Sequence, residues 1–220
     1  MRKIILTEKQ EYNIAKMLFL EYIENLMGKT IISVDIQPEY EDNISFDLYE
    51  WGEYINMLGK NNRIVFLYNG QDTLGMVSED EYKMWLYEFC GIDEEILYNS
   101  IFYDKGYAFF RYCIDEGIDD ENIVKLVQFM MKHNINDSRD LTNNELWDMF
   151  IEEYDMYVED VRELLEFADD MIYIPDLMDA LKPLNNITIM GGGINECLKE
   201  VIIALDALNK PYNIIDEFCY

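Results

Sequence analysis

Apolar positions along this chain recur at two spacings, one helical and one strand-like, and the alternation between them organises the reading. Thr7 and Gln10 form a capping-box pattern, and Ile14, Met17, Leu18, Tyr22, Ile23 and Leu26 follow at helical spacing up to Gly28, which predicts a leading amphipathic helix. The next segment, TIISVDI, is a short β-branched run of the kind that forms a buried strand, and it ends at an acid, Asp35. Residues 46–58 return to helical spacing. RIVFLYNG predicts a second buried strand closed by the turn pair Asn69-Gly70, and Ser78 stands where it would cap a helix over 79–89.

From Glu94 to about Phe167 the pattern is helical almost throughout, with NIVKLVQFMMKH and ELWDMFIEEY as amphipathic segments and NINDSRD as the loop between them. Sheet-like runs then return. MIYIP is a candidate third strand, 176–182 a short helix, NITIM a strand, 195–209 a helix and YNIID a last strand. Strands alternating with helices predict an α/β fold of three layers, a Rossmann-like parallel sheet covered on both faces with right-handed crossovers. The 220 residues fit a single α/β domain over 1–220, with 94–167 as a helical insertion or cap within it.

Charge narrows the partners. Seventeen basic residues stand against 45 acidic ones, a formal charge of −28, which repels phosphate backbones and anionic membrane surfaces and argues against direct nucleic acid binding. The acids are spread along the chain as DE, ED, DD and EE pairs. They suit either a solvated surface or a surface that presents carboxylates where a basic protein expects phosphates. No run approaches a membrane span and the N-terminus lacks the apolar core of a signal peptide, so a soluble, cytoplasmic protein is expected. Cys90, Cys113, Cys197 and Cys219 form no CxxC pair and His133 is the one histidine, so neither a structural zinc site nor a disulfide framework is indicated, and no metal or cofactor is expected. Richness in Asn, Ile and Tyr suggests an AT-rich coding genome.

Candidate chemistry gathers where strands end, because ligands of an open parallel sheet bind beyond its carboxyl edge. That rule selects Asp35, Asn69-Gly70 and the loop from Gly191 to Cys197. Gly191, Gly192 and Gly193 allow a sharp turn and close backbone approach, and the helix that follows offers free N–H groups and a positive dipole end. Asn195 is a plausible N-cap, which puts Cys197 in the first turn, where a thiolate is favoured and faster alkylation than at Cys90 or Cys113 is expected. A buried cysteine packed beneath a tight turn is the competing reading of the same residues. A Mg²⁺ site through Asp35, Asp72 and Glu196 is a third arrangement, with a spacing that fits no motif.

Three segments resemble the isochorismatase-like cysteine hydrolases: IISVDIQPEY, a strand ending in Asp, one residue, then Gln; FYDKGYAFF, with its lysine; and IMGGGINEC, a strand, glycine turn and cysteine at a helix start. The order Asp, Lys, Cys is that of the family. The resemblance implies an α/β fold with Cys197 as nucleophile, Asp35 as the base that takes its proton and Lys105 as the stabilising cation; Gln37, Asn69, the three glycines and Asn195 are the expected ligand-binding residues beside them. The chain departs from the pattern in a longer interval between Lys105 and Cys197, and in lacking the metal-binding Asp and His set of the nicotinamidase branch. Asp35 also reads as a strand-end turn acid and Lys105 as a solvated loop lysine. The leading expectation is a metal-independent cysteine hydrolase, active or degenerate, acting on a small-molecule amide, ester or vinyl ether. The alternative is a non-enzymatic acidic protein, such as a phage-encoded nucleic-acid mimic, that blocks a basic protein surface. Self-association is left open under either.

Overall fold

The computed structural model describes residues 28–70, 78–106, 110–136, 140–141, 144–166 and 175–220. The expected leading helix and residues 171–174 of the MIYIP segment lie outside them. In chain order the elements are β1 (Thr30–Val34), α1 (Leu48–Gly59), β2 (Arg63–Tyr68), α2 (Glu79–Glu88), α3 (Glu94–Asn99) and β3 (Ile101–Asp104). Then come α4 (Phe110–Asp115), α5 (Asp120–His133), α6 (Asn144–Tyr154), α7 (Val158–Glu166), α8 (Pro175–Leu181), β4 (Ile187–Gly191), α9 (Cys197–Ala207) and β5 (Tyr212–Ile214).

The strands form one five-stranded sheet in the order β3-β2-β1-β4-β5, and every pairing is parallel. All five residues of β1 and of β4 are buried. Side chains alternate across a strand, so β1 sends Ile31 to one face and Ile32 and Val34 to the other, and both faces need helices to exclude water. On the first face Ile31, Phe66 and Met190 pack against Trp51 and Ile55 of α1, Tyr82 of α2 and Ile96 of α3. On the second, Ile32, Leu67 and Ile189 pack against α5, α6 and α9 through Leu126, Phe150 and Val201. Burying Ile31 and Ile32, each 0 % exposed, stabilises the sheet by about 1.5–3 kcal/mol apiece. The result is a three-layer α/β, Rossmann-like fold.

Local signals fix the helix starts. Asp47 caps α1 by accepting from the N–H groups of Tyr49 and Glu50 at 2.8 and 3.0 Å. Ser78 caps α2 through a reciprocal capping box with Glu81. The stretch from Glu94 is not wholly helical, because β3 lies inside it and pairs with β2. Helices α4 to α7 follow β3, and α5 and α6 belong to the layer that α9 completes. The chain therefore builds outward from β1 through β2 to β3, then crosses back to β4 on the other side of β1. This reversal of strand order places the topological switch between β1 and β4. No helix among the described residues is long and apolar enough to cross a membrane.

Candidate active site

The carboxyl ends of the strands deliver their next residues to one place. Asp35 follows β1, with its N–H donating to the Leu67 carbonyl at 2.9 Å, and Lys105 follows β3, with its N–H donating to the Tyr68 carbonyl at 2.9 Å. Each thus extends the ladder by one residue before the backbone turns away. Asp35 does so at φ 46, a left-handed conformation that Asp tolerates better than most residues. Asn69 follows β2, and Asp104 Oδ1 accepts from the N–H groups of both Gly70 and Gly106 at 2.9 Å, tying the β2 and β3 exits together.

These strand-end residues form one wall of a cavity of about 100 Å³, and Arg111 of α4 with Cys197 and Glu200 of α9 forms the other. Asp35, Lys105 and Cys197, chosen from the sequence, therefore share one cavity. Lys105 Nζ lies 3.0 Å from Asp35 Oδ2 and 3.0 Å from Glu200 Oε2, with all three side chains 5 % exposed or less. Burial alone would lower the lysine pKa, but Asp35 and then Glu200 outweigh it and hold Lys105 well above its usual range. Lys105 is thus a buried cation shared by two acidic side chains, not a solvated loop lysine.

Arg111 closes the mouth. Its Nη1 reaches Cys197 Sγ at 3.6 Å, its Nη2 lies 3.2 Å from Glu196 and its Nε lies 3.0 Å from Asp115. Glu196, on the cavity wall, makes three acids to two bases there.

The remaining expected ligand residues divide. Asn69 lines the cavity, and its side-chain amide donates to the Tyr40 hydroxyl at 3.5 Å. Gln37 does not line it. Its buried amide accepts from Asn69 N–H at 2.9 Å and donates to the Asn69 carbonyl at 3.2 Å, so it positions Asn69 from behind. Gly191 and Gly192 have φ of 82 and 68, and a Cβ on Gly191 would stand 2.5 Å from the Val34 carbonyl oxygen. They form the turn that lets β4 lie against β1. Gly193 and Asn195 face a separate, open cleft beside Tyr220.

Two expectations about the thiol change. Glu196, not Asn195, occupies the N-cap position of α9, and it makes no side-chain cap hydrogen bond. The Cys197 thiol is not acidified: burial, then the Asp35 carboxylate, push its pKa up to about 12 against the opposing pull of Lys105 and Arg111. Cys90 and Cys113 are likewise raised to about 12 by burial, so exposure, not acidity, distinguishes Cys197: it is half-buried and they are buried. The charged neighbours of the thiol are thus Asp35, which raises its pKa, and Lys105 and Arg111, which lower it.

The chain matches no family model, no curated protein and no solved structure. The chemistry of this cavity has to be read from its own atoms. Glu200 and Arg111 carry no motif. A sequence signal existed for Glu200, which lies three residues beyond Cys197 and so on the same face of the helix, in an otherwise apolar stripe. Asp72, of the carboxylate alternative, lies outside the described residues, and the cation beside Asp35 is Lys105.

Proposed function

We propose that this cavity is the active site of a cysteine hydrolase acting on a small amide or ester. One observation carries the reading: Asp35, Lys105 and Cys197, far apart in the sequence, line the same cavity at the switch point of the sheet. With the thiol neutral at rest, the attack is base-assisted. Asp35 takes the Sγ proton as the sulfur adds to the substrate carbonyl, and Lys105 offsets the negative charge that this step gathers in the cavity. The N–H groups of Ile194, Glu196 and Leu198 already donate to backbone carbonyls. Stabilisation of the carbonyl oxygen therefore falls to the Cys197 amide and the Arg111 guanidinium. A cavity of about 100 Å³ admits an acyl group of only a few heavy atoms.

The test is covalent trapping. On incubation with p-nitrophenyl acetate, mass spectrometry should find one acetyl group on Cys197, and Cys197→Ala should carry none. Acetylation elsewhere at the same rate, or none on Cys197, overturns the reading.

A further inference from the structure

Glu200 is the one buried ionisable side chain of the cavity for which the reaction just described has no use, at 1 % exposure. It stands on α9 one turn after Cys197, with Lys105, Asp35 and Arg111 as the charged groups that face it. Its Oε2 is held by Lys105 at 3.0 Å, whereas its Oε1 is buried without a hydrogen-bond partner, as is Oδ1 of Asp35, the other acid on the same lysine. A buried bare carboxylate oxygen is costly, and one lysine shared between two buried carboxylates leaves one negative charge without a counterion. One proton on this pair of acids leaves a single negative charge for Lys105 to offset, and because Asp35 has to be ionised to act as the base, the proton falls to Glu200 Oε1, which lies in the cavity wall.

We propose that Glu200 is held as a neutral carboxylic acid and is the proton donor to the leaving group, a catalytic residue additional to Asp35, Lys105 and Cys197. Burial raises the pKa of this carboxyl and outweighs the lowering by Lys105, in keeping with the geometry. The proposal rests on the cysteine hydrolase reading above. In acylation the Sγ proton passes to Asp35 and the C–S bond forms. As the tetrahedral adduct collapses, the carbon–nitrogen bond of the amide breaks, and the nitrogen takes the proton from Glu200 Oε1. The amine departs and leaves Glu200 as a carboxylate paired with Lys105. In deacylation water adds to the thioester and gives its proton to Glu200. The C–S bond breaks, Sγ recovers its proton from Asp35, and the sum is amide plus water giving acid plus amine.

A general acid matters for a poor leaving group and little for a good one, which provides the test. Turnover of p-nitrophenyl acetate and of p-nitroacetanilide is compared in the wild type, Glu200→Gln and Cys197→Ala, alongside the infrared carbonyl band of a protonated carboxyl group. In the wild type at neutral pH that band should be present and should shift in D₂O, and in Glu200→Gln it should be gone. The ratio of anilide to ester turnover should fall by about 100-fold or more in Glu200→Gln, within the range expected for removing a general acid. If Glu200→Gln does not fold, the wild-type protein is titrated to higher pH instead, where loss of the band should accompany a steeper fall of anilide than of ester turnover. Absence of the band at neutral pH, or an equal loss on both substrates while Cys197 is still acylated, overturns the role of Glu200 alone. No turnover, or turnover that survives Cys197→Ala, overturns the hydrolase reading and this inference with it.

Discussion

The two walls of the cavity are built by different means. On the strand side Asp35 and Lys105 are 0 % and 5 % exposed, and their backbone N–H groups continue the parallel ladder. On the helix side Arg111 is 16 % and Glu196 62 % exposed, and their contacts are ion pairs at the surface. Such exposed pairs contribute about 0–1 kcal/mol, whereas breaking a buried one costs about 3–5 kcal/mol. The strand wall therefore holds Asp35 and Lys105 in a buried frame, whereas the ion pairs of Arg111 on the helix wall reach the surface. Glu200 crosses the division, being carried by the helix wall yet buried as deeply as the strand wall.

Substitutions separate the walls. Lys105→Met leaves the buried acids Asp35 and Glu200 without their cation and should lower unfolding free energy by about 3–5 kcal/mol, with a drop in melting temperature of about 10 °C. A loss below about 1 kcal/mol in urea titration would remove the distinction between the walls. Gly191→Ala forces a side chain into left-handed backbone against the Val34 carbonyl and should cost about 1–3 kcal/mol without touching the cavity charges.

Glu200→Gln should change the pH dependence more than the maximum of stability. The folded-state pKa of Glu200 is raised, so the folded protein holds this proton after the unfolded chain has released it near pH of about 4.3. Its contribution is present below that pH and is lost as pH rises through the folded-state value, at up to about 1.4 kcal/mol per pH unit, and Glu200→Gln should lack that decline. Parallel stability curves for the two proteins would show Glu200 already ionised.

The helix wall gives the smallest effects on stability. Arg111→Gln should change it by less than about 1 kcal/mol, yet slow iodoacetamide labelling of Cys197 several-fold at pH of about 8, because the guanidinium is one of the two cations that lower the thiol pKa. In the wild type that labelling should keep rising with alkalinity toward about 12, and should still exceed that of the buried Cys90 and Cys113. An unchanged labelling rate in Arg111→Gln would mean that its contact with the sulfur carries no electrostatic influence.

The strand wall is the legible one in the sequence. TIISV, RIVFLY and ITIMG are continuous apolar runs because both faces of those strands are covered, and the polar residue that ends each of the first two stands out against them. The edge strand IFYD is hidden because it is four residues long and only half-buried, so its pattern merges with the helices around it. The helix wall is harder to read, since Arg111 looks like an ordinary solvated charge until the fold turns it inward, and Glu200 is marked only by the apolar stripe in which it stands. The thiol of Cys197 departs from expectation for a related reason. A lysine and a helix start predict a thiolate, but the sequence does not disclose that Lys105 is already held by Asp35 and Glu200, nor that burial dominates.

The formal charge of −28, which in the sequence served to argue against nucleic acid binding, has a kinetic consequence at the cavity mouth. The proposed hydrolysis of a neutral amide or ester would generate a carboxylate product within a strongly negative molecule. A field that admits a neutral reactant would expel the anion formed from it, so product egress would be driven electrostatically and rebinding opposed. Added salt, by screening that field beyond about 8 Å at physiological ionic strength, should strengthen inhibition by a small carboxylate product.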